Sequence, residues 1–374
     1  MADRGSSEAG VPQQAWEIPV KIPEGKVAVF ATLVDGSVFE IPWRQAWDLP
    51  FCDINVLSIA PPFDVEGDSV QQILNRSMPA LERLHVHGSS HGSSAIPETA
   101  SCTLRGVNFP RLYDLQMWDV LIHLEAALCA NLRCLRLATA HRRMAIVDFL
   151  TIVSQCLSLE VLDVDRYIDA HPAHCDPVPL LLSLDDHHSL RTVKTSDQPW
   201  RLAAIFSRLI VPAHVSAVEA VSLVSGDCAS GLRAMIPSDR HNMLAMRRAI
   251  SLQVYDTMEL GTGISAIGSN GCRTTLKVIP GDDRPSWALK KRRGGSLFLS
   301  LVQCLDLFEG AAVKRIEFCG TLLGVPKAAW IATLTLFPGI QEVTLKDIPY
   351  PADHSFDTFI LALAAPSNAL PGPG

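Results

Sequence analysis

The sequence predicts an α/β solenoid in which parallel strands line the concave face and helices lie outside. Three observations support this fold class. An apolar strand motif recurs along much of the 374-residue chain. Between residues 81 and 249 its copies begin 20 to 31 residues apart, which leaves room for a strand, a turn and one helix. Amphipathic helical patterns occupy several of these intervals.

The strand motif has the form L-x-x-L-x-L and is first seen as Leu81, Leu84 and Val86. Side chains alternate across a strand, so the motif residues face the core and the intervening residues face the open side. The further copies, in chain order, are Leu112-Leu115-Met117, Leu132-Leu135-Leu137, Leu159-Leu162-Val164, Leu190-Val193-Thr195, Val218-Val221-Leu223, Ala249-Leu252-Val254, Arg273-Leu276-Val278, Val313-Ile316-Phe318 and Ile340-Val343-Leu345.

The predicted helices have apolar residues spaced so that they share one face. In the segment HRRMAIVDFLTIVSQC these residues are Ile146, Phe149, Leu150 and Val153. The segments GDSVQQIL, RLAAIFSRLI and SLFLSLVQCLDLF show a similar pattern. One strand and one helix cannot enclose their own apolar surface, so we expect stacked neighbours to share a continuous core.

The ends of the chain differ from the repeats. Residues 1–48 are predicted to form a tail and a capping β-hairpin, because two strand patterns flank Asp35-Gly36, a dipeptide typical of hairpin turns. Residues 49–350 form the predicted solenoid, with an irregular or inserted segment at 260–295. Residues 351–374 are predicted to form a C-terminal helix and a flexible tail.

Composition narrows the function classes. Hydrophobic residues make up 48% and charged residues 19% of the chain, which predicts a large buried core. No apolar run reaches the roughly 20 residues of a spanning helix, and MADRGSSEAGVPQQ does not resemble an export signal. We therefore expect a cytoplasmic or nuclear protein that binds no membrane. The net charge of -7 argues against nucleic acid as a partner.

The strands in MPALERLHV, FPRLYDLQM, NLRCLRL and CLSLEVLDV resemble the degenerate leucine-rich-repeat region of fungal F-box proteins. The resemblance covers roughly residues 50 to 350 and implies a leucine-rich-repeat-like solenoid. It also implies a non-enzymatic protein–protein interaction module that recognises substrates for an F-box-type ubiquitin ligase. The chain contains no recognisable F-box motif. A cullin-ligase adaptor is therefore an implied partner only if an F-box lies upstream.

The strand register predicts which side chains form the concave binding face. The set includes an aromatic residue and an arginine, two residue types favoured as anchors of protein interfaces. We expect a protein partner here, although a merely solvated face is an equally open alternative. The predicted binding residues are His85, His87, Gln116, Trp118, Arg136, Asp163, Asp165 and Lys194, with Ser222 and Val224 continuing the face on the sixth repeat.

Three other segments suggest alternative chemistry. His85, His87 and His91 have spacings found in metal sites, but we interpret the first two as exposed histidines of the binding face. The segment 171–188 holds a His/Asp/Cys cluster that a metal-dependent enzyme could use, although a polar loop is the favoured interpretation. We expect no catalytic residue, metal or cofactor. The basic run Lys290–Arg293 is interpreted as a solvated loop, with a nuclear-import or anion-binding patch as the alternative.

Overall fold

The computed structural model of the chain describes a mixed α/β fold. The described residues are 28–60, 67–88, 101–138, 143–170, 181–224, 228–237, 243–257, 261–280, 304–320, 326–346 and 355–364. His91, the first half of the segment 171–188, the basic run Lys290–Arg293 and the C-terminal tail lie outside them. Among the described residues, no helix is both long and apolar enough to cross a membrane.

Short strands dominate the described secondary structure. The strands are β1 (Ala28–Leu33), β2 (Val38–Pro42), β3 (Ile54–Ala60), β4 (Arg83–His87), β5 (Ser101–Leu104), β6 (Asp114–Trp118), β7 (Leu121–Leu124), β8 (Cys134–Ala138), β9 (Met144–Ala145), β10 (Val161–Asp165), β11 (Ile168–Asp169), β12 (Leu182–Ser183), β13 (Thr192–Asp197), β14 (Leu209–Ile210), β15 (Ala217–Val224), β16 (Ala249–Thr257), β17 (Gly261–Gly268), β18 (Arg273–Pro280), β19 (Arg315–Gly320) and β20 (Glu342–Lys346). Each copy of the predicted strand motif coincides with one of these strands.

The helices are α1 (Gly67–Leu74), α2 (Ala126–Cys129), α3 (Ile146–Gln155), α4 (Pro199–Phe206), α5 (Cys228–Ala234), α6 (Leu244–Arg247), α7 (Lys327–Leu336) and α8 (Ser355–Leu363). Short 3-10 helices span Trp43–Asp48, Phe51–Asp53 and Leu305–Phe308. Helix α3 buries the predicted face formed by Ile146, Phe149, Leu150 and Val153. These side chains belong to the same core cluster as the motif leucines, so α3 shares the core of the sheet.

Fourteen strands form one sheet, in the order β2-β1-β3-β4-β6-β8-β10-β13-β15-β18-β17-β16-β19-β20. All of them run in one direction except β1 and β17. A large, mostly parallel sheet combined with helices confirms the predicted α/β class. The remaining strands form two-stranded sheets, in the pairs β5-β7, β9-β11 and β12-β14.

The motif residues align across successive strands. Leu84 pairs with Leu115, Leu115 with Leu135, and Leu135 with Leu162. All four leucines are at most 1% exposed, as expected for inward-facing positions of a repeated unit. The sequence intervals between them differ, yet the strands stay in register because the spacing varies only in the connecting segments.

Backbone hydrogen bonds before each strand keep this register. The amide of Arg133 donates to the carbonyl of Tyr113 at 2.8 Å, and the amide of Glu160 donates to the carbonyl of Arg133 at 2.7 Å. The amide of Arg191 continues the series by donating to the carbonyl of Glu160 at 2.9 Å. Each of these residues directly follows the first residue of its motif copy. We call this series the backbone ladder; it joins every repeat from β6 to β13 at an equivalent position.

A turn also recurs three residues before the first motif position. The amide of Leu132 donates to the carbonyl of Cys129 at 3.2 Å, and the amide of Leu159 donates to that of Cys156 at 3.1 Å. Both cysteines are fully buried and remain free thiols. The same buried turn therefore precedes the strand in both of these repeats.

The register predicted for β15 is wrong. Val193 pairs with Val218 and Thr195 with Ala220, so the motif copy begins at Val215, three residues earlier than predicted. Ser222, predicted on the open face, is therefore fully buried. Its neighbour Val221 takes the opposite orientation and is half-buried. The side chain of Val224 lies outside the described part of this strand.

The hairpin predicted near the N-terminus is present, with a longer turn. Strands β1 and β2 pair antiparallel, and β1 continues the sheet beside β3. The connection spans Val34–Ser37 rather than two residues. The amide of Leu33 donates to the carbonyl of Ser37 at 2.9 Å, and within the connection the amide of Gly36 donates to the carbonyl of Leu33 at 3.0 Å. Gly36 has φ +87°, a left-handed conformation that glycine adopts without strain.

The irregular segment predicted at 260–295 contains the second antiparallel strand. Strands β16, β17 and β18 form a meander in which β18, rather than β16, lies beside β15. The sheet then continues from β16 to β19. Residues 281–300 lie outside the described part of the chain.

The corrected register predicts opposite responses at two adjacent positions. In Ser222→Asp a carboxylate would be buried without a partner, which we expect to cost about 3 kcal/mol or more of unfolding free energy. In Val221→Asp the carboxylate faces outward, and we expect a loss below about 1 kcal/mol. Urea unfolding of both variants measures the difference. If Val221→Asp were the more damaging, β15 would follow the register predicted from the sequence.

Candidate functional site

The sheet brings the eight predicted binding residues together on one face. Cross-strand pairing places them, with Ala138 and Ser196, in two adjacent rows. The first row is His85, Gln116, Arg136, Asp163 and Lys194, and the second row is His87, Trp118, Ala138, Asp165 and Ser196. We call these two rows the open face. The alternation of inward and outward side chains on each strand, which the motif predicts, produces this arrangement.

An aromatic pair lies at one end of the open face. The rings of His87 and Trp118 stack with centroids 4.2 Å apart and an interplanar angle of 6°. The two residues occupy directly paired positions on β4 and β6, so strand spacing sets the ring separation. Burial lowers the pKa of His87 to about 4, with a smaller contribution from the charge of His85. His87 is therefore neutral at physiological pH.

His85 is half-buried beside this pair. Its Nδ1 lies 3.2 Å from the hydroxyl of Ser58 on β3. Burial lowers the pKa of His85, and the nearby carboxylate of Asp114 only partly opposes this effect. The prediction that His85 and His87 are exposed is wrong, because neighbouring side chains cover much of each ring. Among the described residues, no group of three His, Cys, Asp or Glu side chains could hold a metal ion.

Opposite charges alternate along the first row. Arg136, Asp163 and Lys194 follow one another on neighbouring strands, and Glu219 on β15 extends the series. The Lys194 amine lies 3.7 Å from the Glu219 carboxylate. Glu219 was missed from the sequence because the predicted register of β15 placed it at a different position. The alternation leaves the open face without a strong net charge of either sign.

Asp163 has an unusual environment within this row. Burial raises the pKa of its carboxyl group, and the charges of Lys194 and Arg136 only partly offset that effect. Among the described residues, neither Asp163 nor Arg136 makes an ion pair within 4.0 Å. Each therefore has hydrogen-bonding capacity available for another molecule.

Two side chains, one in the first row and one in the pair of positions before it, are held by local contacts. Arg83 donates from Nε to the Tyr113 hydroxyl at 3.2 Å, and its guanidinium lies 6.0 Å from that ring centroid. Gln116 donates from Nε2 to the Asp114 carboxylate at 3.3 Å, and only 9% of Gln116 is exposed. Such bonds restrict side-chain rotation and so favour a fixed binding surface.

Gly88 has no side chain, which allows the end of β4 to approach the end of β6 closely next to the aromatic pair. Its amide donates to the Trp118 carbonyl at 2.6 Å. A Cβ atom at this position would lie 2.7 Å from the carbonyl oxygen of Asp119, a distance that real side chains do not adopt. Asp119 itself has φ +55°. The motif pattern gave no signal for this close approach, which depends on two separate strands.

The alternative cluster at 171–188 is only partly described, because residues 171–180 lie outside the described ranges. In the described half, Asp185 accepts a hydrogen bond from the Ser183 hydroxyl at 2.7 Å. His187 is 1% exposed, and its Nε2–H donates to the carbonyl of Val153 at 2.9 Å. Interpreting His187 as part of a polar loop is therefore wrong. It occupies the buried turn before β13, at the position that Cys156 takes one repeat earlier.

A second polar cluster lies on the last strands of the sheet. Gln253 donates to the Glu317 carboxylate at 2.8 Å, and the Lys346 amine lies 2.8 Å from the same group. The side-chain hydrogen bond from Lys346 is the main cause of the lowered pKa of the Glu317 carboxyl group. These polar groups are already paired with one another, in contrast to Asp163 and Arg136.

The shifted pKa of His87 predicts a pH dependence of stability. The group has a pKa of about 4 in the folded chain and an ordinary value of 6.5 when unfolded. Between these values the unfolded chain binds the proton more readily, so the unfolding free energy should fall as pH drops from about 6.5 to about 4. His87→Phe retains an aromatic ring and removes the proton, and we expect a shallower fall.

Urea unfolding across this range measures the effect, with about pH 8 as the internal reference because His87 is neutral there in both states. Parallel curves for wild type and His87→Phe over the acidic range would contradict the assignment.

Comparison of the chain with models of known protein families, with curated proteins and with solved structures gives no match. The resemblance to the repeat region of fungal F-box proteins therefore stays an expectation from the strand motifs. The function proposed below depends on the repeated sheet and on the geometry of the open face.

Proposed function

We propose that the chain is a non-enzymatic protein-binding module built as a leucine-rich-repeat-like solenoid. In this proposal the parallel strands form the concave face and the helices lie outside. The aligned motif leucines and the backbone ladder support a repeated, stacked unit. The shared core of helix and strand residues supports the placement of helices on a single face of the sheet. Solenoids of this kind expose broad surfaces that bind other proteins.

The observation that carries the binding role is the composition of the open face. Trp118 is half-buried against His87 and is held in one orientation by the stack. Arg136 and Asp163 lie close by without ion-pair partners among the described residues. Tryptophan and arginine are the residue types most enriched at energetically important interface positions. A fixed tryptophan loses little conformational entropy when a partner binds, which favours affinity.

The partner class follows from the family resemblance. The strands resemble the substrate-recognition repeats of fungal F-box proteins, so we propose that the open face recognises a protein substrate for ubiquitin ligation. In that setting an F-box supplied upstream would bind the cullin-ligase adaptor. The open face itself would contact only the substrate.

Paired substitutions test the binding role. Trp118→Ala combined with Arg136→Ala should reduce capture of specific protein partners from native extract, because both anchors are removed. With a captured partner in purified form, we expect affinity to fall by about 30-fold or more, which corresponds to about 2 kcal/mol. Quantitative mass spectrometry of the captured proteins and titration calorimetry measure these effects.

Thr344→Ala provides the matched control, because Thr344 lies on the distant strand β20 and belongs to neither row. This control should capture the same partners as wild type. If the double variant and the control captured equal amounts of every partner, the open face would not be the binding site.

A further inference from the structure

Two cysteine thiols from neighbouring repeats lie in contact inside the core. Cys129 is the last residue of α2, and Cys156 directly follows α3, which packs beside α2. Each cysteine carbonyl accepts from the amide three residues later, so the two turns share the same local geometry. The thiol of Cys156 forms a side-chain hydrogen bond with the sulfur of Cys129. The two sulfur atoms are therefore adjacent without any change in the fold.

The backbone ladder fixes the distance between the two chain segments. The amide of Glu160 donates to the carbonyl of Arg133 at 2.7 Å, and these residues lie four positions after Cys156 and Cys129 respectively. Equivalent positions on paired strands lie about 4.8 Å apart. A disulfide requires Cα atoms about 4.4 to 6.8 Å apart, and the spacing of stacked turns falls within this range. The repeat geometry therefore allows the two sulfurs to bond with the backbone in place.

The shared hydrogen bond makes the two thiols unequal. It lowers the pKa of Cys129, whose sulfur accepts the bond, although burial opposes this effect. The same hydrogen bond, together with burial, raises the pKa of Cys156, whose thiol donates. The thiolate is the form of cysteine that reacts with oxidants, so Cys129 is the member of the pair that reacts first.

Local opening of α2 gives a small oxidant a route to Cys129. Both thiols are fully buried in the closed chain. Helix α2 has only four residues, and the nearby Ala126, Ala127 and Ala130 are exposed. A helix of a single turn has little stability of its own, so it can open while the sheet stays folded.

We propose that Cys129 and Cys156 are a redox modification site, which hydrogen peroxide converts into a disulfide between adjacent repeats. The site is independent of the proposed binding function, because neither thiol lies on the open face. The disulfide would join the repeats of β8 and β10 on the core side of the sheet.

The two thiols together reduce one peroxide molecule. Cys129 loses its proton and its sulfur attacks one peroxide oxygen. The O–O bond breaks, and the leaving hydroxide takes up the proton as water. The Cys156 sulfur then attacks the sulfenic acid on Cys129, the S–O bond breaks, and hydroxide leaves with the Cys156 proton as a second water. Two electrons pass from the sulfurs to the peroxide, and a thiol reductant reverses the change.

Peptide mapping of the full, reduced chain after treatment with hydrogen peroxide tests this site. Trypsin cleaves at arginines that place Cys129 on peptide 112–133 and Cys156 on peptide 144–166. After the remaining thiols are alkylated, mass spectrometry without reduction should detect these two peptides joined by a disulfide. The free-thiol count should fall by two from 10, and dithiothreitol should restore it.

The chain unfolded in urea is the control for folded geometry. Cys134 lies five residues from Cys129 and is its nearest thiol in sequence. Short loops close more readily than long ones in an unfolded chain, so oxidation in urea should favour the bond between Cys129 and Cys134. In the folded chain we expect the bond between Cys129 and Cys156 instead.

Serine variants test the order of the two steps. Cys156→Ser removes the second sulfur, so the sulfenic acid on Cys129 should persist and be trapped by dimedone. Cys129→Ser should give no dimedone product at Cys156. Cys134→Ser changes a thiol outside the pair and should form the disulfide as wild type does.

Three results would overturn the assignment: a disulfide between Cys129 and another cysteine in the folded chain, the same pairing preference in urea as in the folded chain, or no loss of thiols from the pair at a peroxide concentration that oxidises the exposed Cys52. Dimedone trapping at Cys156 in place of Cys129 would contradict the order of reaction. Peptide mapping of the wild-type chain needs no substitution, so it decides the pairing even where a serine variant fails to fold.

Discussion

The structure depends on backbone hydrogen bonding between equivalent positions of successive repeats. The ladder through Tyr113, Arg133, Glu160 and Arg191 joins each repeat to the next directly after the first motif leucine. Because these bonds use only backbone atoms, they tolerate any residue except proline at the ladder positions. They do not tolerate a shift in register, since a one-residue slip would turn every inward leucine toward solvent. The variable connections between strands therefore leave the sheet unchanged.

This fixed register also creates the candidate site. Residues far apart in sequence form continuous rows because each strand contributes the same two outward positions. His87 and Trp118 stack because β4 and β6 are paired in register, and Ala138 follows Trp118 in the same row. The polar groups on later strands are largely paired with one another, whereas Asp163 and Arg136 are not. Among the described residues, the proposed binding surface therefore includes polar groups of β8 and β10 that make no ion pair.

Much of the fold could be predicted from the sequence, because an apolar repeat reports directly on which side chains must be buried. The strands, helix α3 and the common face of the eight predicted binding residues follow from that pattern. The register of β15 could not be chosen, because Val215, Val218 and Val221 are all apolar and fit the motif at either of two positions. The burial of His187 and the close approach at Gly88 depend on contacts between separate repeats. The apolar pattern within one repeat does not predict such contacts.

Methyl–methyl nuclear Overhauser effects in a leucine- and valine-labelled sample test the stacked register most directly. The account predicts a continuous series of contacts from Leu84 through Leu115, Leu135, Leu162 and Val193 to Val218. Directly paired residues on neighbouring strands are close enough for such contacts, since the strands lie about 4.8 Å apart. A break in the series within these strands, or contacts that connect Val193 with Val221 instead of Val218, would contradict the account.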